Sequence, residues 1–557
     1  MNKERTNSLF LALFFVVFLV ISCCHDTIMP EVPRTATLTF RTIESPSEKN
    51  TKAGFGPLHN GSYPVLWDDA DVAGVTLDYA SSFVSSSILS SEDKKTGTFT
   101  ATLAAPAAGS FKVQAVVPAS RIVSYNAVTS DITLNIPASQ TPTATGPDPS
   151  AMMLVANIEM DAVPESDQEI FLPFHHATAY GCLTLKNLPT AAEIHSIDLL
   201  FSVPVSGKWD YDPENLKMTE KIPANIITVH TNSVENVFFG CAPAALHGET
   251  LKVRLNTEAG MYEVSVDVTS SIQFKAGYIS RFTVDMASAM KKQDISVIPI
   301  GNSFTSNACT YLDAIIKDAG YNPTIYKIAF GGHDLSGLVS KYKSGDEKYL
   351  PLIENKADFV TLQQLSQMCG LSYTFYPYLD QMIDIVRTHQ PQAKLVWHIT
   401  WAYEEDSPNS NFAYYYGSNQ QTMYDAIMDV FQKDVQVTGV FGDFIPCGTM
   451  IQNLRSSPLA GRIAATDGVH MGTGPAVGCY ALGLSWCRTL TGVSVDGITY
   501  KLSSMTSEEL DYIKEAVENA YWAPFVVTPY IPPAPTGPQE MDQNPNFNPP
   551  FSPEGDW

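Results

Sequence analysis

The strongest constraint on this chain is a change of pattern at Ile295. From Thr35 to about Ala289, apolar residues alternate with polar ones in short runs. They fall at 37–40, 97–103, 111–117, 132–136, 183–185, 197–201, 237–239, 252–255, 264–268 and 279–284, between clusters of Gly, Pro, Asn, Asp and Ser. Period-two runs bounded by turn residues predict antiparallel strands, here enough for two sandwiches. At Ile295-Ser-Val-Ile-Pro-Ile300 the strand becomes continuously apolar, as in a sheet covered on both faces. Ala308, Leu312, Ile315, Ile316 and Ala319 then recur at helical spacing. Further strands are predicted at 324–328, 359–362 and 395–399, with helices at 378–387 and 420–431 and a final one near 476–490. This alternation predicts an α/β doubly wound domain over 294–522, after an all-β sandwich region over 35–290. Ligands of such sheets bind beyond the C-terminal ends of the strands.

A chain of 557 residues, 45% hydrophobic and 17% charged, has ample material for several cores, which excludes a disordered or fibrous protein. With 34 basic residues against 58 acidic ones the net charge is −24, so no nucleic-acid partner is expected. No P-loop, GxGxxG fingerprint or zinc-like Cys/His spacing is present. His175 and His176 have no third ligand nearby in sequence, so neither a metal nor a cofactor is expected. The last 35 residues, 523–557, hold ten Pro, four acids and no Lys or Arg, and predict an extended, mostly mobile tail in which Phe525, Tyr530 and Phe547 are the docking candidates.

The N-terminus carries Lys3 and Arg5, an apolar run over 9–21, then Val20-Ile21-Ser22-Cys23. This resembles a bacterial lipoprotein signal, with 1–22 removed, Cys23 lipidated and 23–34 a linker. The run is short for a bilayer core of about 30 Å. The resemblance implies a membrane partner through the N-terminal lipid anchor, in the cell envelope of a Gram-negative bacterium, at its outer membrane or surface. Seven of the nine Cys remain after Cys23 and Cys24, too few and too scattered for a disulfide framework, and an odd number leaves at least one free thiol.

Two loops of the α/β region carry candidate chemistry. In Gly301-Asn302-Ser303-Phe304, Gly301 permits a tight strand-to-helix turn and Ser303 stands where the helix begins. A hydroxyl there serves as a helix cap or as a nucleophile beside free backbone N–H groups. In Asp467-Gly468-Val469-His470, an acid three residues before a histidine makes either a surface turn or an orienting acid with its base. The order Gly-Asn-Ser on the first strand's loop, then Asp-x-x-His before the last predicted helix, resembles the SGNH (GDSL-type) hydrolase superfamily, of flavodoxin-like fold. The resemblance implies a serine esterase with Ser303 as nucleophile, His470 as base and Asp467 as its orienting acid. It places oxyanion-hole donors at the N–H groups of Ser303 and Gly332, the latter in Phe330-Gly331-Gly332-His333-Asp334. The family's third block supplies an Asn amide; here the place reads Leu362-Gln363-Gln364-Leu365-Ser366, so the amide of Gln363 or Gln364 is the expected donor. Leu362-Gln-Gln-Leu-Ser366 and Thr400-Trp-Ala-Tyr403 also resemble one SGNH-like subfamily.

Asn302, His333, Trp401 and Tyr403 are the expected substrate-binding residues, with Trp397, His398 and Tyr414–Tyr416 as further aromatic candidates, since rings near a cleft stack on sugar faces. Asp334, Arg455 and Arg462 are read as surface charges, with an acidic substrate as the alternative role of the two arginines. The N-terminal half, through Trp67-Asp68, the strand Phe99–Leu103, Phe174-His175-His176 and Lys275–Tyr278, resembles the fimbrillin-like domains of surface lipoproteins. The expected function is a lipid-anchored ester hydrolase that deacylates a glycan, so an acylated carbohydrate or another small ester is the expected substrate. The alternative is an adhesin or fimbria-associated binding protein with a degenerate SGNH domain.

Overall fold

The computed structural model describes residues 34–44, 66–77, 80, 82–105, 109–164, 168–268, 272–472 and 477–532. The signal, Cys23 and the tail beyond 532, including Phe547, lie outside them. Among the described residues no helix is long and apolar enough to cross a membrane.

The period-two runs form strands whose alternate residues point inward. In Glu169–His176 the side chains of Ile170, Leu172 and Phe174 are buried while Phe171 faces out. The β region has two main cores. One gathers Leu38, Phe40, Trp67, Phe99, Val113, Leu172 and Phe174. The other gathers Leu183, Ile197, Leu199, Phe201, Phe239, Val253 and Phe274. Trp67 meets Phe174 edge-on at 5.5 Å, and Phe40 stacks on its cross-strand neighbour Phe99 at 5.2 Å.

The pairing is not purely antiparallel. In each unit the first strand lies parallel to the last: residues 39–44 against 169–174, and 180–186 against 279–285. Alternation fixes which face of a strand is buried but says nothing of its partner's direction, so this closure was invisible in the sequence.

The C-terminal region is α/β. Its strands β1 (Asp294–Gly301), β2 (Asn322–Ile325), β3 (Phe359–Leu362), β4 (Lys394–His398) and β5 (Asp443–Ile445) are all parallel, in the order β2-β1-β3-β4-β5. Every residue of β3 and β4 is buried, as a sheet covered on both sides requires. The run at 324–328 breaks after β2, and Ile328–Ala329 pairs separately with Ile300–Gly301. The helical spacing at 308–319 is likewise shared by two helices, α1 (Ser303–Ala308) and α2 (Leu312–Asp318). Between them the Thr310 hydroxyl bonds back to the Ser306 carbonyl. Helices α3 (Leu335–Lys343), α4 (Tyr378–His389), α5 (Ser410–Tyr416), α6 (Gln420–Val430) and α7 (Cys447–Arg455) follow, then the wholly buried α8 (Val477–Thr491).

The last predicted helix is not the final one: α9 (Ser507–Trp522) follows, opened by a capping box in which Thr506 and Glu509 satisfy each other's backbone N–H. After it the chain docks rather than leaving the surface. Phe525 lies 5.7 Å from Phe444 and 6.0 Å from Phe431, and the N–H groups of Thr528 and Tyr530 donate to Asn453 Oδ1 and Ser456 Oγ.

The β region is seated on the N-terminal edge of the parallel sheet. Asp358, just before β3, accepts from Arg254 of the second β unit at 2.8 Å. Lys394, the first residue of β4, lies 3.3 Å from the fully buried Asp198. Backbone bonds from Ser139 to the Gly439 carbonyl and from Asn225 to the Pro391 carbonyl extend the contact. The C-terminal edge of the sheet, where ligands bind in such folds, is left facing away.

Candidate active site

At that free edge the chain brings the two motifs together. β1 ends at Gly301, where a Cβ would collide with Thr305 Oγ1 and stand 2.8 Å from Gln363 Cγ, so only glycine fits. Asn302 caps α1 by accepting the Phe304 N–H at 3.1 Å, which releases Ser303 from capping duty. His470 Nε2 lies 2.9 Å from Ser303 Oγ, and His470 Nδ1 lies 2.7 Å from Asp467 Oδ2.

The loop that carries the acid and base is fixed from within. Asp467 Oδ1 accepts the N–H groups of Val469 and His470 at 2.9 and 3.0 Å. Gly468 takes φ 62, and the Ala465 N–H donates to the His470 carbonyl. Partial burial pushes the Asp467 carboxyl up, but the hydrogen bond to His470 and the two backbone N–H groups outweigh it, holding it below the usual carboxylate range. The site is open: the His470 side chain is 34% exposed and that of Asp467 48%.

Gly332 stands exposed at φ 72, with nothing within 4 Å of the position a Cβ would take. No hydrogen bond among the described residues engages the N–H of Gly332 or of Ser303.

The glutamines do not complete the oxyanion hole as expected. Gln363 donates to Asn302 Oδ1 at 2.8 Å and to the Gln364 carbonyl, while its Oε1 accepts from Thr305 Oγ1 and His398 Nδ1. Gln364 donates both amide hydrogens to Thr374 and accepts the N–H groups of Leu335 and Leu365. Both side chains are buried and every amide hydrogen is committed, so neither is free for a substrate oxygen. These bonds tie the end of β3 to the Ser303 loop, to β4 and to the start of α3.

Three expected substrate-binding residues are likewise internal. Asn302 is buried under its own turn, its amide donating to the His333 carbonyl. Trp401 is fully buried; its ring stacks on Phe304 at 3.8 Å and its Nε1–H donates to the Val469 carbonyl at 2.9 Å. Tyr403 is buried with its hydroxyl 2.7 Å from Ser366 Oγ. His333 is half-buried, with Nδ1 2.9 Å from the Gly331 carbonyl.

The other candidates also find internal partners. Asp334 caps α3. Arg455 reaches the Ala402 carbonyl and Glu404, and Arg462 pairs with Glu509, so neither is held ready for an acidic substrate. His176 bonds the Tyr180 hydroxyl. Trp397, His398 and Tyr416 are buried, while Tyr414 is exposed.

Phe304 and Ser407 were missed by the sequence reading. Phe304 presents its ring to Trp401 on one side and, edge-to-face at 5.7 Å, to His470. Ser407 Oγ donates to the Asp467 carbonyl. Phe304 was legible as the residue after the serine; nothing in the sequence marked Ser407. Among the described residues no group of three or more His, Cys, Asp or Glu is placed to hold a metal ion, and all seven cysteines there are unpaired.

The family model for a domain of unknown function, DUF4886, matches residues 334–520. The chain is similar to a solved DUF4886 family protein from Bacteroides uniformis, at 26% identity over 42% of this chain and 98% of that one, with a TM-score of 0.40. A candidate SGNH hydrolase from Slackia heliotrinireducens gives 18% identity over 35% and 99%, with a TM-score of 0.28. A candidate cell-adhesion protein from Bacteroides uniformis gives 15% identity over 46% and 96%, with a TM-score of 0.30. No curated protein matches the chain.

Proposed function

We propose that the α/β region is a serine ester hydrolase, anchored to the cell envelope through Cys23 and acting on an acylated glycan. The observation that carries the reading is the continuous relay Ser303 Oγ, His470 Nε2, His470 Nδ1, Asp467 Oδ2, with both links under 3 Å. With Nδ1–H directed at Asp467, Nε2 takes the Ser303 proton as Oγ attacks the acyl carbon, and Asp467 stabilises the imidazolium that forms. The N–H groups of Ser303 and Gly332 are the unclaimed donors for the oxyanion. His470 then protonates the departing alcohol. A water deprotonated by the same ring attacks the acyl-enzyme, releasing the acid and restoring Ser303. Seating on opposite sheet edges turns the triad away from the β region, which serves as spacer or adhesion module.

One observation favours the alternative of a non-catalytic adhesin or fimbria-associated protein: the third-block amide is missing from the oxyanion hole. The experiment is hydrolysis of p-nitrophenyl acetate by the protein beside Ser303→Ala. Turnover lost in the variant supports the esterase; equal rates, or none in either, favour the binding protein.

A further inference from the structure

The loops after β3 and β4 carry a tyrosine patch that neither the triad nor the core accounts for. Tyr373 is 73% exposed and Tyr414 81%. Tyr415 adjoins both: its ring meets that of Tyr414 at 4.9 Å and 79°, and desolvation together with the neighbouring Tyr415 phenol raises the Tyr373 hydroxyl above its ordinary value. Contiguous exposed aromatic surface of this kind marks a binding site more often than it marks chance.

Hydrogen bonds tie the Tyr373 half of the patch to the nucleophile loop, and the chain itself ties the other half to the Asp467 loop. Tyr373 precedes Thr374, which Gln364 grips through carbonyl and hydroxyl at 3.1 Å, and the Gln364 carbonyl accepts from Asn302, the neighbour of Ser303. Ser407, which donates to the Asp467 carbonyl, lies three residues before α5, and from Ser410 to Tyr414 that helix rises only about 6 Å. The patch therefore lies on loops that adjoin those holding Ser303 and Asp467.

Its charge narrows the ligand. Residues 363–378 and 399–420 contain no lysine or arginine, while Glu405 and Asp406 stand exposed beside α5 on a chain of net charge −24. An anionic polymer is repelled there. A neutral, hydroxyl-rich ring is not: its C–H face lies on a tyrosine ring, and phenol and carboxylate oxygens accept from its hydroxyls. A shallow site with a partly exposed base also suits an ester carried on a polymer, because no cavity has to close around the ligand.

We propose that Tyr373, Tyr414 and Tyr415 form a subsite for the sugar rings of a neutral polysaccharide whose ester group is presented to Ser303. This rests on the ester-hydrolase reading for its catalytic half and stands on the patch alone for its binding half. Affinity electrophoresis separates the two, with acetylated xylan, glucomannan or polygalacturonate cast into the gel. The protein and Ser303→Ala are expected to be retarded alike by at least one neutral polymer and not by polygalacturonate, with retention at least tenfold weaker in Tyr373→Ala and Tyr414→Ala. On a retained polymer carrying acetyl esters, the tyrosine variants are expected to raise KM at least tenfold with kcat within twofold. Equal retention by the tyrosine variants, no retention by either neutral polymer, or retention by polygalacturonate as strong as by them overturns the proposal. Retention without hydrolysis of any ester would leave the subsite standing and remove the esterase.

Discussion

At the scale of single residues, Trp401 holds the two halves of the triad in register. It supports Phe304, next to the nucleophile, with its ring and Val469, next to the base, with its N–H. Trp401→Phe keeps an aromatic ring against Phe304 but loses the hydrogen bond and leaves a small cavity. It is expected to lower ester turnover on the order of tenfold through misplacement of His470, with a urea midpoint lowered less than in Trp401→Ala. Trp401→Ala is expected to cost about 3–5 kcal/mol of stability.

Beneath this layer His398 is fully buried, with Nδ1 held by Gln363 and Nε2 without a partner; burial pushes it down to about 3. The folded protein therefore keeps it neutral while the unfolded chain protonates it near the ordinary value of 6.5. Stability tied to this group is complete above that value and falls by about 1.4 kcal/mol per pH unit as pH drops towards 3. His398→Asn, which keeps an N–H for Gln363, is expected to flatten this slope in urea titrations between pH 6 and 4. An unchanged slope would place the acid sensitivity elsewhere.

At the scale of elements, the pattern of the sequence carried most of the α/β region, because strands covered on both faces leave unbroken apolar runs and amphipathic helices leave a stripe. What it did not carry was whatever depends on a partner. Trp401 and Tyr403 read as substrate-binding aromatics because the groups that cover them are distant in sequence: Phe304 and Val469 for Trp401, Phe304, Phe412 and Ser366 for Tyr403. Gln363 looked like an oxyanion donor because its chemistry is right; what disqualifies it is that Thr305, His398 and Asn302 already occupy it. The parallel closing strands of the β units are long-range pairings with no local mark. Helix α9 was legible in retrospect, since Thr506-Ser-Glu-Glu509 is a capping box ahead of Leu510, Ile513 and Val517. Thr506→Ala is expected to destabilise the α/β region by about 1 kcal/mol, read as a lower urea midpoint; no change would mean that packing alone sets the start of the helix.

At the scale of the whole molecule, the β and α/β regions share a buried charge cluster. The Arg254 side chain, 2% exposed, lies 2.6 Å from Glu263, 2.8 Å from Asp358 across the interface and 3.8 Å from Asp198, while Lys292 reaches Asp358 at 3.1 Å. Burial alone would raise the Asp198 and Asp358 carboxyls, but the cations facing them reverse the direction and hold both below the usual carboxylate range. Removing one member leaves charges buried without a counterpart, so Arg254→Ala is expected to cost about 3–5 kcal/mol. Calorimetry is expected to show one cooperative transition in the unaltered protein and separated transitions in the variant. A single transition at an unchanged temperature in Arg254→Ala would show that the cluster does not couple the regions. Seated this way, the β region closes the N-terminal edge of the sheet and directs the triad and the tyrosine patch outward.

The central claim is that Ser303 is a nucleophile activated by His470, and covalent labelling tests it most directly. A fluorophosphonate probe followed by peptide mass spectrometry is expected to place the label on Ser303. The label should be abolished in Ser303→Ala and in His470→Ala, and slowed in Asp467→Asn, which disturbs the His470 tautomer. Labelling of a different residue, or of Ser303 at the same rate with and without His470, would contradict it.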